Sequence, residues 1–411
     1  MMRCLQCAGL LLVWALLPAC GAPAPNAPKV PSVVATPVVN EVAKPAPASW
    51  PTYHGGTSLD GVADVALPDS LALAWRFESG SRVVNTPVVG NERVCFADEK
   101  GIIHALDLQG KEVWSKAFTK TNPDGRPPSK LYFDAPLAIF DGVLIAGESN
   151  GTVYALNVAD GSLRWECKTE AVLLGSPNIA DVSVDGKTEK RLYFIDQTAG
   201  GLQSIDFNTG KLLWSVDGRD RCDGSPSVNA SFAVYGSCAS ALHIFSPING
   251  EMLREVSLEQ DSQVAGGVVL LGDSMYSGSR SGHFIHADAR TGKIFWTNSD
   301  CTGEAFNTPA VGAERIVFGA NDGYLFALSR KDGVLVWKHK MDDTPSSPVI
   351  ARDKVVVTAS GALHLLRLSD GQKIWSFPVS DEITSPAIAG SLVIVGADDG
   401  TVTAFGSKAG E

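Results

Sequence analysis

The residues best placed to do chemistry are oxygen donors gathered on one turn. Asp181, Ser183, Asp185 and Glu189 stand at positions 1, 3, 5 and 9 of a stretch that has Gly186 at position 6. Donors at that spacing around a turn-forming glycine wrap a hard cation, and calcium is the ion they suit. The same string also reads as a lengthened polar hairpin, with Lys187 and Lys190 close by. Both readings stay open. Cysteine chemistry is the second candidate. Past Cys20 the chain holds Cys95, Cys167, Cys222, Cys238 and Cys301, an odd set that leaves at least one thiol unpaired. Cys222 and Cys238 fall in two loops that a four-stranded unit brings to one face, so a disulfide between them is open on geometric grounds.

Other reactive side chains read as packing. His104, His243 and His364 hold the same strand position in different copies of a repeat, and equivalent positions in a ring radiate outward, so they cannot share a metal. His283 and His286 are oddly spaced on one strand and leave it on opposite faces. Asp134, Asp223, Glu304, Asp343 and Asp381 each precede the first strand of a copy. They line one mouth of a channel and suit a cation or basic peptide, or they are solvated loop charge. There is no P-loop and no His-Glu-x-x-His metal motif.

The element that must position these residues is a repeat. Gly-x-x-x-Trp recurs at Gly110–Trp114, Gly161–Trp165, Gly210–Trp214, Gly292–Trp296, Gly333–Trp337 and Gly371–Trp375, and Gly250–Arg254 keeps only the glycine. A period of about 40 residues made of short apolar runs and glycine turns marks a β-propeller. Most copies open on Ser or Thr followed by Pro, as at Ser176-Pro177 and Thr308-Pro309. Openers near residues 87, 136, 177, 226, 266, 309, 348 and 386 give eight blades. The last runs out near Phe405 without a Gly-x-x-x-Trp strand, while Leu73-Ala-Trp75 is an orphan strand of that kind. Joining them closes the ring and removes two exposed sheet edges; seven blades with frayed ends is the alternative. The fold class is all-β, an eight-bladed propeller of four-stranded antiparallel blades closed by an N-terminal strand. Trp75, Trp114, Trp165, Trp214, Trp296, Trp337 and Trp375 are expected to dock flat between neighbouring blades.

The 411 residues carry a net charge of −11 and no Lys/Arg-rich run, which excludes a surface built to hold nucleic-acid phosphates. Residues 1–19 read as a signal peptide, with a short apolar core over Ala8–Leu17. Leu17-Pro-Ala-Cys20 resembles the lipobox of bacterial lipoproteins, which implies lipidation of Cys20 and a membrane anchor. Residues 20–49 form a Pro/Ala-rich tether, and residues 50–408 the propeller domain. Between blades one and two, Thr119–Lys130 is the longest insert, and long loops on a rigid scaffold are where partners bind.

At Ser204-Ile-Asp-Phe-Asn-Thr-Gly210-Lys-Leu-Leu-Trp214 and His286-Ala-Asp-Ala-Arg-Thr-Gly292-Lys-Ile-Phe-Trp296 the chain resembles the docking repeat of quinoprotein-type propellers. That pyrroloquinoline-quinone-like superfamily includes quinone-dependent alcohol dehydrogenases and the propeller lipoprotein of the outer-membrane β-barrel assembly machinery. The enzymes' adjacent Cys-Cys pair is missing here, as is a Cys-x-x-Cys-His haem site. Lipobox, tether and bare ring match the assembly lipoprotein's layout. The resemblance implies a periplasmic, outer-membrane-anchored scaffold that binds other envelope proteins as a monomer within a complex, with no catalytic residues and no cofactor, calcium apart. A quinone-dependent dehydrogenase, or a ligand sensor using the central funnel, is the alternative.

Overall fold

The structure, a computed structural model, describes residues 49–120, 129–258 and 262–408. Eight antiparallel four-stranded sheets follow one another along the chain. Blade 1 is typical: Val88–Gly90, Arg93–Ala97, Ile102–Leu106 and Glu112–Ala117 pair in that order. First strands of neighbouring blades touch around the hub, blade 1 meeting blade 8. The ring is therefore shut.

Closure uses the front of the chain. Ala72–Glu78 forms the outer strand of blade 8 against Thr401–Gly406, with Trp75 opposite Ala404. In every blade the outer strand slips by one residue beside the tryptophan position, or beside Arg254 in blade 4. Such a bulge bends the outer edge and aims that side chain at the next blade. Apolar cores fill the gaps between sheets. Ile145 and Val153 of blade 2, for instance, bury against Leu192 and Phe194 of blade 3.

The docking joint explains the Gly-x-x-x-Trp spacing. Six of the indoles lie over the glycine of the following copy. A Cβ on Gly161 would sit 2.8 Å from the Trp114 ring, and one on Gly333 2.4 Å from Trp296. Both glycines also hold positive φ, +69° and +72°, so no other residue fits without strain. The indole N–H then donates to a carbonyl of that turn: Trp75 to Leu108, Trp114 to Val158, Trp165 to Phe207, Trp214 to Ile248 and Trp337 to Leu368, all at 2.9–3.0 Å. Trp375 meets Phe405 of blade 8 edge-on. Where blade 4 lacks the tryptophan, the Arg254 stem covers Gly292 instead.

Residues Trp50–Ala63, irregular in sequence, run through the hub. Trp50 bonds to Val89 of blade 1 through both backbone groups, and Pro51 accepts from the Ile139 amide of blade 2. Thr57 accepts from Val228 of blade 4 and from the Asn178 side chain of blade 3, Ser58 from Leu270 of blade 5, and Asp60 from Val311 of blade 6. Gly61 accepts from Ile350, and Val62–Ala63 then pairs in parallel with Val349–Ala351 of blade 7. One segment thus stitches the inner strands of seven blades. Among the described residues no helix is long and apolar enough to cross a membrane.

Candidate functional site: the hub funnel and its rim

The opener residues build the open end of the hub. Three opener hydroxyls accept the amide of the preceding blade's opener: Ser225 from Ser176 at 2.8 Å, Thr308 from Gly267 at 2.9 Å, and Ser347 from Thr308 at 3.0 Å. The following proline fixes φ and turns the chain down into the inner strand. Between blades 3 and 4, 5 and 6, and 6 and 7 the motif is therefore a clasp.

Above the clasp lies a funnel of about 400 Å³ to which all eight blades contribute. Tyr53 reaches into it from the hub segment, its hydroxyl 2.7 Å from Ser347 Oγ and donating to Thr308 Oγ1 at 3.3 Å. Burial raises the Tyr53 hydroxyl above its ordinary value, and the two hydrogen bonds only partly counter this. Beneath it, His54 is buried with Nδ1 2.7 Å from the Leu59 carbonyl and Nε2 2.9 Å from that of Pro348. Burial lowers its pKa, against the pull of the two carbonyls. His54 holds φ +61°, and Gly61 lies so close that a Cβ there would stand 2.2 Å from the imidazole. The channel is plugged.

Of the acidic residues expected at a channel mouth, Asp134 and Asp223 line the funnel; Glu304, Asp343 and Asp381 stay outside it. Asp223 is held by Arg221 at 2.8 Å and by the Gln197 amide at 2.9 Å. Asp134 accepts from the Ser149 hydroxyl at 2.5 Å. The rest of the lining mixes hydroxyls, amides and glycine backbone with apolar Pro136, Leu174, Ala265, Phe306 and Pro345, and has no Lys or Arg. A pyrroloquinoline quinone carries three carboxylates, which call for guanidinium or ammonium partners once desolvated. This funnel does not fit that cofactor.

The oxygen-rich turn of blade 3 does not wrap. Asp185 and Gly186, at φ +49° and +76°, make a two-residue hairpin turn between Asn178–Val184 and Lys187–Ile195. Asp181 faces Lys190, Ser183 faces Thr188, and Val182 faces Glu189. Strand alternation therefore puts Glu189 on the face opposite Asp181 and Ser183, where it accepts from Arg191 at 3.0 and 2.6 Å. The four donors do not converge. Among the described residues no group of three or more His, Cys, Asp or Glu could hold a metal ion.

The Cys222–Cys238 disulfide is likewise corrected: both are free thiols. The Cys238 amide bonds to the Arg221 carbonyl, next to Cys222 in the chain, so the two loops meet without the thiols bonding. Cys222 is buried, its Sγ turned to the Gly224 carbonyl, and burial pushes its thiol up to about 12. Cys238 stays partly exposed.

The three equivalent histidines are separate, each in its own blade. His104 contacts Glu112 at 2.9 Å, His243 contacts Ser237 at 2.7 Å, and His364 contacts the Ala359 carbonyl at 3.3 Å. Ser237, His243 and Glu255 have the order of a hydrolase triad, but Ser237 and His243 are fully buried and His243 stands 3.4 Å from Glu255. Gly147-Glu-Ser149-Asn-Gly151 has the spacing of a nucleophile elbow. It is a hairpin turn, however, and its hydroxyl donates to the Asp134 carboxylate at 2.5 Å, with the Tyr132 carbonyl 3.0 Å away. The hub segment went unnoticed in the sequence, because its bonds run through backbone carbonyls that any residue supplies. The insert after blade 1 forms a short ribbon, Thr119–Lys120 with Ser129–Lys130; its tip lies outside the described residues, as do Cys20 and the tether.

A shut ring of eight four-stranded blades with docking tryptophans defines a quinoprotein-type propeller. The family model described as "Outer membrane protein assembly factor BamB" matches residues 99–262 and 239–410. The chain belongs to that family. It is 25% identical over 340 residues to the assembly factor BamB of Escherichia coli K12, covering 70% of this chain and 86% of that one. With the BamB of Shewanella oneidensis it shares 24% over 299 residues, covering 68% and 73%. The crystal structure of BamB from Moraxella catarrhalis superposes with a TM-score of 0.66 at 18% identity, over 82% of this chain and all of that one. The quinohemoprotein alcohol dehydrogenase of Comamonas testosteroni has the same fold, at a TM-score of 0.65 and 14% identity over 87% and 80%.

Proposed function

We propose that this protein is a non-catalytic propeller scaffold of outer-membrane protein assembly, held on the membrane through a lipid on Cys20 and binding other envelope proteins. One observation carries the reading. The hub, where propeller enzymes of this architecture keep a quinone, is plugged from one end by Trp50–Ala63, and its open end offers an anionic tricarboxylate two further carboxylates among hydroxyls, amides and apolar side chains, with no Lys or Arg. What remains for function is the exposed surface of a rigid ring, with loops at the funnel rim and the ribbon after blade 1. Family membership supports the assembly role.

Crosslinking and pull-down from native membranes tests this. Photo-crosslinkers placed at exposed rim positions should capture outer-membrane assembly proteins. Dye-linked alcohol oxidation by the purified protein, given quinone and calcium, would overturn the reading. Cys20→Ser should move the protein from the membrane to the soluble fraction; unchanged membrane retention would count against the anchor.

A further inference from the structure

Seven of the eight belt joints hold an indole, and the joint between blades 4 and 5 does not. There Arg254, on the outer strand Met252–Ser257, lies over Gly292, where a Cβ would stand 2.7 Å from its Cδ. An arginine stem covers less surface than an indole and leaves its charged head in water. Among the described residues that guanidinium has no hydrogen-bond or ion-pair partner. Gly161, Gly210, Gly250, Gly333 and Gly371 are buried beneath their indoles, whereas Gly292 is half-buried, as is Gly110. The opener clasp is absent as well, since Ala265-Gly266-Gly267 offers no hydroxyl to the Ser225 amide.

The hub end of the same joint is tied. The Ser227 hydroxyl of blade 4 donates to the Val268 carbonyl of blade 5. The Val228 and Leu270 amides donate to consecutive carbonyls of the hub segment, Thr57 and Ser58, both at 3.1 Å. The Asn229 side-chain amide reaches the Gly272 carbonyl at 2.9 Å, and the Val264 amide reaches that of Ser237 at 3.0 Å. Further out, an aliphatic core that includes Ile244, Val256 and Ile285 fills the gap, and the Arg290 guanidinium lies 5.7 Å from the Phe232 ring. Local opening begins where the fewest contacts must break. We propose that blades 4 and 5 form a hinge: their outer edges part about a pivot at the hub, and the ring yields at this joint while its indole-filled joints stay shut. The motion widens the groove between Met252–Ser257 and the Asp288–Lys293 turn. It leaves the hub bonds in place, so its failure would not touch the scaffold reading.

Two turns make a matched pair for the test. The Gly292 amide bonds to the Asp288 carbonyl at 2.8 Å, and the Gly161 amide bonds to that of Asn157 at the same distance. The bonds are alike, so a difference in their opening reports the cover above them. The experiment is hydrogen–deuterium exchange of the full chain in detergent, read on peptides spanning each turn and corrected for intrinsic rates. The Gly292 turn should exchange roughly tenfold or more faster than the Gly161 turn. Arg254→Trp should bring it down to the Gly161 rate, and the reciprocal Trp114→Arg should speed the Gly161 turn. The hub-bonded amides of Val228 and Leu270 should stay as protected as that of Val311, which marks a hinge rather than unfolding of a blade. Melting temperatures check that the variants fold; should Arg254→Trp fail to fold, the Trp114→Arg arm decides. Equal exchange of the two turns, no effect of Trp114→Arg, or hub amides exchanging together with the Gly292 turn would overturn the proposal.

Discussion

Two regions join the blades, and they do so by opposite means. At the outer belt the joints are repeated: an indole over a glycine, closed in five of them by a hydrogen bond, with Arg254 standing in at Gly292 and Trp375 packing on Phe405. At the hub a single aperiodic segment bonds to the inner strands of seven blades, and it locks itself by packing His54 against Gly61. The belt is redundant and tolerates a substitution at one joint, since each joint concerns only two blades. The hub has no redundancy. Its segment closes one end of the hub and leaves the funnel of about 400 Å³ at the other.

That contrast orders the expected effects. Gly61→Val drives a branched side chain into His54 at a positive φ, and should cost about 3 kcal/mol or more in denaturant unfolding, with early proteolysis near residue 60. Trp114→Ala removes one half-buried indole and its bond to Val158, and should cost about 2–3 kcal/mol. Arg254→Ala loses only an aliphatic stem over Gly292, and should cost about 1 kcal/mol. If the belt substitution proved the more damaging, the comparison would be inverted.

A pH series sharpens the hub side. Burial holds His54, His243 and His364 below the ordinary histidine value. The unfolded chain then binds more protons than the folded one below about pH 6.5. Stability should be complete above that value and fall as pH drops through the lower folded-state values, read as a declining denaturation midpoint. His54→Gln should flatten part of that slope. The smallest effect is expected at the Asp185 turn, where neither calcium nor a chelator should shift the melting temperature; a rise with calcium would mean that Asp181, Ser183, Asp185 and Glu189 rearrange to bind it.

The ring was legible because its signals are periodic. Glycine, tryptophan and the Ser/Thr-Pro opener recur at fixed offsets, and Trp75 stood without a blade while the segment after Pro386 stood without an outer strand. The pairing of Trp75 with Ala404 follows from that mismatch. The local motifs were less informative, for a physical reason. Asp185-Gly186 is a strong two-residue hairpin signal, and strand pairing on either side overrode the metal-loop spacing. Cys222 and Cys238 do lie in loops that meet, yet Cys222 is buried with its Sγ turned to the Gly224 carbonyl, and both thiols are free. The plug left no trace in the pattern, since Pro51, Thr57, Ser58, Asp60 and Gly61 all act through carbonyl oxygens.

We propose that this hub stitches blades together and holds no redox cofactor. Equilibrium dialysis of the purified full chain against pyrroloquinoline quinone with calcium tests it most directly. The account predicts no chromophore retained above the level on a denatured control. A quinone bound at one equivalent per chain, and lost on Tyr53→Phe, would contradict it.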